Sequence, residues 1–225
     1  MRCINWKTVS TLVTMAMVAS ACSETVVAPS AESPSAPASM ALAPEGRPSL
    51  SLAGGAALNT ATDFTVGAMG GVFRVGNNAV VFPANSICDP ATSGYGAGTW
   101  DSSCAPLQGT ITVHAVTRVH HGRTQVDFTP NLRFAPSDSP AEWVWLYMYT
   151  PSAAAATNLS QFNILYAPTL DGALVDESLV DASLRTYVDS RSGVSVRRVK
   201  HFSGYTVSTG AKCDPTVTTC PAPTP

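Results

Sequence analysis

His201 and Ser203 are the residues of this 225-residue chain whose types and spacing could do chemistry: an imidazole able to take a proton and a hydroxyl it could activate. They lie in His201-Phe202-Ser203-Gly204-Tyr205, after the strand-like run Val194 to Lys200 and before Thr206-Val207-Ser208, so both read as part of a β-strand. On a regular strand, side chains at i and i+2 share a face about 6.6 Å apart, at 3.3 Å per residue. A general base must come within roughly 3 Å of the proton it takes. Chemistry between the two therefore requires a bent strand. Gly204 would permit the bend, and the break in alternation at Arg197-Arg198 predicts a bulge just upstream. No third residue that would orient His201 stands out. The alternative is purely structural: His201 and Ser203 merely hydrogen-bond within a terminal strand, with Phe202 in the core and Tyr205 anchoring the edge.

A second constellation competes for function. Across Glu142 to Tyr149, alternation puts Trp143, Trp145, Tyr147 and Tyr149 on one face and Val144, Leu146 and Met148 on the other. Facing solvent, that aromatic row is a platform for a glycan or peptide. In the alternative, the strand is an inner one of a sandwich that buries one face and has the other covered by a loop such as the 88 to 104 insertion, with aromatic cross-strand pairs adding stability.

The common catalytic signatures are absent: no nucleotide loop, H-E-x-x-H, G-x-S-x-G or C-x-x-C occurs. No cofactor or metal is expected. His114, flanked by Val113 and Ala115, should face solvent, and His120-His121-Gly122-Arg123 reads as a hairpin tip. Asn158-Leu159-Ser160 matches a glycosylation sequon, which an envelope protein of a bacterium would not use.

The ends of the chain say where these residues work. Arg2 and Lys7 precede a short apolar run, Val9 to Val18, and the small residues Ala19-Ser20-Ala21, which is a secretory signal too short to span a membrane. Cys22 follows at once, and the junction resembles a bacterial lipoprotein signal in which that cysteine is lipidated; ordinary cleavage would leave it free. Three acyl chains exceed what stable anchoring needs, at about 0.8 kcal/mol per buried methylene. Ser23, where aspartate would retain a lipoprotein at an inner membrane, points to the outer one. Without the signal, 11 basic residues face 15 acidic ones, a net charge of −4, which argues against nucleic acid and against electrostatic adhesion to anionic lipid. The expected partners are the membrane, through the anchor, and a protein or glycan ligand.

Residues 22–60 are a Pro, Ala and Ser-rich linker with too few bulky apolar groups to fold, a tether read as disordered, and 211–225 form a short tail of similar composition. Cys88, Cys104, Cys213 and Cys220 remain for disulfides in an exported protein. Three connectivities are possible. Local pairing of Cys88 with Cys104 and Cys213 with Cys220 is preferred because each pair brackets a loop; closing the 15-residue loop Asp89 to Ser103 is worth about 3 kcal/mol.

Residues 61–210 carry the fold. Expected strands are 71–75, 79–82, 110–119, 124–128, 131–134, 142–149, 162–166, 184–188 and 194–207, with period-two alternation, turn residues between them and prolines at strand ends. Helical signal is confined to one turn at Ala153 to Ala156, with Ser152 as its cap. The expectation is a single-domain, all-β, antiparallel sandwich.

Gly70-Gly71-Val72, Val80-Val81-Phe82-Pro83-Ala84-Asn85, Val126-Asp127-Phe128-Thr129-Pro130, Phe134-Ala135-Pro136, the strand at Trp143 and the closing His201-Phe202-Ser203-Gly204-Tyr205 together resemble the ZU-five domain. That β-sandwich is shared by ankyrins, netrin receptors and zonula occludens proteins and also occurs in bacterial envelope proteins. The resemblance covers about residues 65 to 210, and the ending is its most specific part. Some members cut their own backbone within a His-Phe-Ser triplet. Carried over, it implies a scissile bond between Phe202 and Ser203, with Ser203 as nucleophile in an N-to-O acyl shift and His201 as general base. The leading expectation is a lipid-anchored envelope protein whose sandwich is a binding or structural module, and self-cleavage is the alternative.

Overall fold

The run read as one strand, 194–207, is two strands in two different sheets, and the chain crosses between them at residues 200–203. This computed structural model describes residues 46–50, 52, 59–120, 123–168, 173–209 and 219–220. The signal, Cys22, most of the linker and Cys213 lie outside the described residues, as does the side chain of Cys220.

Among the described residues, one sheet runs in the order Thr60–Gly67 (β1), Thr110–His120 (β4), Arg123–Thr129 (β5), Gly204–Thr209 (β11), Phe162–Ala167 (β7), Leu174–Val175 (β8) and Thr219–Cys220 (β12). The other runs Gly71–Val75 (β2), Asn78–Phe82 (β3), Val144–Tyr149 (β6), Val194–Val199 (β10) and Thr186–Asp189 (β9). Every pairing is antiparallel. The protein is an all-β sandwich, with short 3-10 turns as its helical content among the described residues.

Alternation explains the layers. In β4, Val113 and Ala115 are buried while His114 is half exposed beside Asp63, at 2.5 Å. In β6, Val144, Leu146 and Met148 face the core, which Phe73 and Phe82 of the same sheet complete with Phe64, Val126, Phe128 and Ile164 of the other sheet and Phe202 of the crossing. Glycine permits the close turns: Gly76, at φ 59°, lets β2 reverse into β3.

Several expected boundaries move. The stretch 131–134 is not a strand, yet its backbone is paired: Phe134 N–H donates to Lys200 O at 2.9 Å, and Phe202 N–H donates to Leu132 O at 2.7 Å. The segment expected to be a strand from Leu184 begins instead with the 3-10 turn Ala182–Leu184, opened by the Asp181 carboxylate accepting from Ser183 N–H, and β9 follows it. The turn Pro151–Ala155 is entered from Thr150, and Ser152 lies inside it. The strands β1, β8 and β12 were not anticipated; β12 brings residues assigned to the tail onto a sheet edge.

No bulge precedes the crossing. Arg197 pairs with Leu146 and Arg198 with Trp145 in an unbroken ladder. The alternation is intact, because Arg197 occupies an inward position between Ser195 and Val199 and is fully buried, while Arg198 lies on the outer face with its guanidinium 4.2 Å from the Trp143 ring centroid.

Candidate functional site

The crossing is held by its own side chains. Phe202 enters the core, stacked on Phe128 (ring centroids 4.1 Å, planes 7° apart) and edge-on to Phe82 and Phe134 at 5.6 and 4.9 Å. Burial of such a ring contributes about 1.5–3 kcal/mol. The residue preceding Ser203 is thereby fixed, with its N–H and C=O both engaged.

His201 is fully buried, and its Nε2 lies 2.9 Å from Glu177 Oε1. Glu177 opens the 3-10 turn Glu177–Leu179, which the Asp176 side chain caps by accepting from Ser178 N–H. Its other oxygen accepts from Arg197 Nη2 at 2.7 Å, and Arg197 Nη1 donates to Ile164 O. A buried guanidinium needs a carboxylate and further acceptors, and here it has both. Burial works to raise the Glu177 carboxyl, but His201, Arg197 and Lys200 outweigh it and hold the group below its ordinary range. An ionised carboxylate only accepts, so this bond places a proton on Nε2, and in the neutral imidazole the lone pair is then on Nδ1. Nδ1 faces the hydroxyls of Tyr95 and Tyr205, each at 3.5 Å. Tyr205 O–H donates to His201 O at 2.8 Å.

A disulfide-closed loop covers this corner. Cys88 and Cys104 are joined, with Cα atoms 5.5 Å apart, as local pairing requires. Within the loop, Trp100 stacks on the His201 ring at 4.2 Å, and Tyr95 O–H donates to Phe202 O at 2.6 Å. Arg133 Nη1 donates to the carbonyls of Thr99 and Ser102. Lys200 Nζ sits 2.5 Å from Asp101 in the loop and 2.6 Å from Asp181. Burial favours the neutral Asp181, yet Lys200 and Ser183 pull its pKa down to about 2.

Ser203 sits at the bend between the two sheets, immediately before β11. Its Oγ is buried and meets no partner at hydrogen-bond geometry. It still lies near enough to the Tyr95 hydroxyl to work against burial, which raises that phenol and keeps it protonated. A buried hydroxyl without a partner costs about 1–3 kcal/mol. Gly204 is required for space rather than for the bend: a Cβ there would lie 2.4 Å from Asp127 Oδ1 and 2.5 Å from Ala167 O.

The aromatic row has the expected facing, but the chain's own segment covers it. Trp145 and Tyr147 are fully buried, Trp143 and Tyr149 partly so. Leu50 and Leu52 pack against the layer, Tyr147 O–H donates to Pro48 O, and Arg47 lies 5.3 Å from the Tyr187 ring centroid. The indole N–H groups of Trp143 and Trp145 donate to Ser137 O and Pro140 O at 2.6 and 3.1 Å. The 88 to 104 loop, considered as the cover for this face, covers His201 instead.

Against this geometry, no protein-family model, no curated protein and no solved structure matches the chain.

Sequence reasoning missed Glu177, the residue that orients His201, and the loop residues Tyr95 and Trp100. Arg197 offered the one usable signal: an arginine at an inward position of an apolar strand demands a buried carboxylate somewhere. Nothing local to Asp176-Glu177-Ser178 says that this carboxylate is the one.

Proposed function

We propose that this chain is a lipid-anchored envelope protein whose β-sandwich cuts its own backbone between Phe202 and Ser203. One observation carries the reading: the nucleophile position is a buried hydroxyl without a hydrogen-bond partner at a sheet-to-sheet bend, two residues along the chain from a histidine whose Nε2 is held by Glu177. The bend is the condition that a regular strand fails. Ser203 Oγ attacks the Phe202 carbonyl carbon and passes its proton to His201 Nδ1. The tetrahedral centre collapses, the carbon–nitrogen bond breaks, and the Ser203 nitrogen leaves with the proton from His201. Water hydrolyses the resulting ester, giving the Phe202 carboxylate and restoring the Ser203 hydroxyl.

The cut ends stay together until unfolded, because β11 lies between β5 and β7. Denaturing electrophoresis of the mature protein therefore resolves two pieces, and sequencing of the smaller one starts at Ser203. A single band removes the reading. Anchoring rests on Cys22: the wild-type protein partitions with membranes and a Cys22→Ala variant does not.

A second reading has its own observation. Tyr95, Trp100, Asp101, Thr99 and Ser102 are all fixed to the sandwich. A rigid, partly exposed loop on a β scaffold suits a binding or structural module like the ZU-five domains that the motifs resemble. An uncut protein leaves this reading standing.

A further inference from the structure

We propose that Tyr95 is a catalytic residue of the self-cleavage reaction, stabilising the oxyanion that forms on the Phe202 carbonyl oxygen. The inference rests on the self-cleavage reading. Nothing in the His-Phe-Ser triplet supplies such a donor; it comes from a disulfide-closed loop more than one hundred positions earlier in the chain.

The geometry is direct. Tyr95 O–H already donates, at 2.6 Å, to Phe202 O, the oxygen on which negative charge develops in the reaction. When Ser203 Oγ adds to the carbonyl carbon, the carbonyl electron pair moves onto that oxygen. A neutral hydrogen bond then becomes a charge-assisted one, roughly twice as strong, so the contact favours the tetrahedral state over the peptide. The phenol must keep its proton to act this way, and burial holds it in the protonated form. Ring packing fixes the donor: Tyr95 meets Trp100 edge-on at 4.9 Å, and Trp100 stacks on His201. One layer of three rings thus couples the oxyanion donor to the base. The Phe202 ring, locked between Phe128, Phe82 and Phe134, keeps the carbonyl aimed at it.

Pulse-chase synthesis of the chain with an oxidised Cys88–Cys104 pair, followed on denaturing gels, tests the assignment. Tyr95→Phe keeps the ring and removes the hydroxyl. It should slow cleavage by about a hundredfold to a thousandfold, the usual cost of one oxyanion donor, while the pH dependence set by His201 stays where it is in the wild type. Incorporating 3-fluorotyrosine at position 95, which makes the phenol a stronger donor without altering the packing, should speed cleavage below the pH at which that phenol ionises. Wild-type rates in both variants overturn the assignment while leaving self-cleavage intact. If Tyr95→Phe fails to fold, an unchanged rate in the fluorinated protein is enough to overturn it. No cleavage in the wild-type chain removes both the reading and this inference.

Discussion

His201 Nε2 and Glu177 Oε1 lie 2.9 Å apart inside the sandwich, and the same carboxylate binds Arg197 at 2.7 Å. One acidic group thus fixes the histidine tautomer and neutralises a buried guanidinium. Glu177→Gln would leave Arg197 buried without its counter-charge, a change that costs about 3–5 kcal/mol. Chemical denaturation should show that loss, and cleavage should fall as well because the imidazole is no longer held. A variant as stable as the wild type would mean that the ion pair contributes nothing.

Acid should release the loop. Glu177 and Asp181 both have carboxyls held below their ordinary values, Asp181 at about 2. Groups depressed in the folded state contribute stability that is complete above their unfolded values, about 4, and is lost as pH falls through the folded ones. Asp127 opposes this, since burial raises it and its protonation on acidification favours the fold. The melting temperature should hold from pH 7 to about 5 and drop toward pH 2. Glu177→Gln should flatten that drop, and an equally steep fall in the variant would place the acid sensitivity elsewhere.

Gly204→Ala should destabilise by about 1–3 kcal/mol through overpacking, since its Cβ would press on Asp127 Oδ1 and Ala167 O. The measurement is a urea midpoint. An unchanged midpoint would show that β5 and β7 can move apart at this level.

Closing the 15-residue loop should matter both for stability and for cleavage. Replacing Cys88 and Cys104 with serine should cost about 2–4 kcal/mol and slow cleavage, because the loop that carries Tyr95 is no longer closed. Calorimetry and pulse-chase report the two effects separately. Cleavage at the wild-type rate in the double serine variant would show that the remaining contacts hold Tyr95 unaided.

The sequence pattern located the layers because a half-buried strand writes its facing into every second residue, as β6 does with Trp145, Tyr147 and Tyr149 against Val144, Leu146 and Met148. It failed where that pattern has two explanations. Arg197-Arg198 reads as lost alternation, yet Arg197 is an inward residue paired with Glu177. Likewise 194–207 looks continuous, because a strand that changes sheets keeps its apolar residues on both sides of the corner. The short strands β8 and β12 are too brief for any period to register. Glu177, Tyr95 and Trp100 reach His201 from loops separated from it along the chain, and composition carries no record of such meetings.

The central claim is the chemistry at Ser203, and intact mass under denaturing conditions tests it most directly. Purified wild-type protein should give two species whose masses sum to that of the uncut chain plus one water, with the break after Phe202, while Ser203→Ala should give one. A single uncut species from the folded wild-type protein would contradict the account.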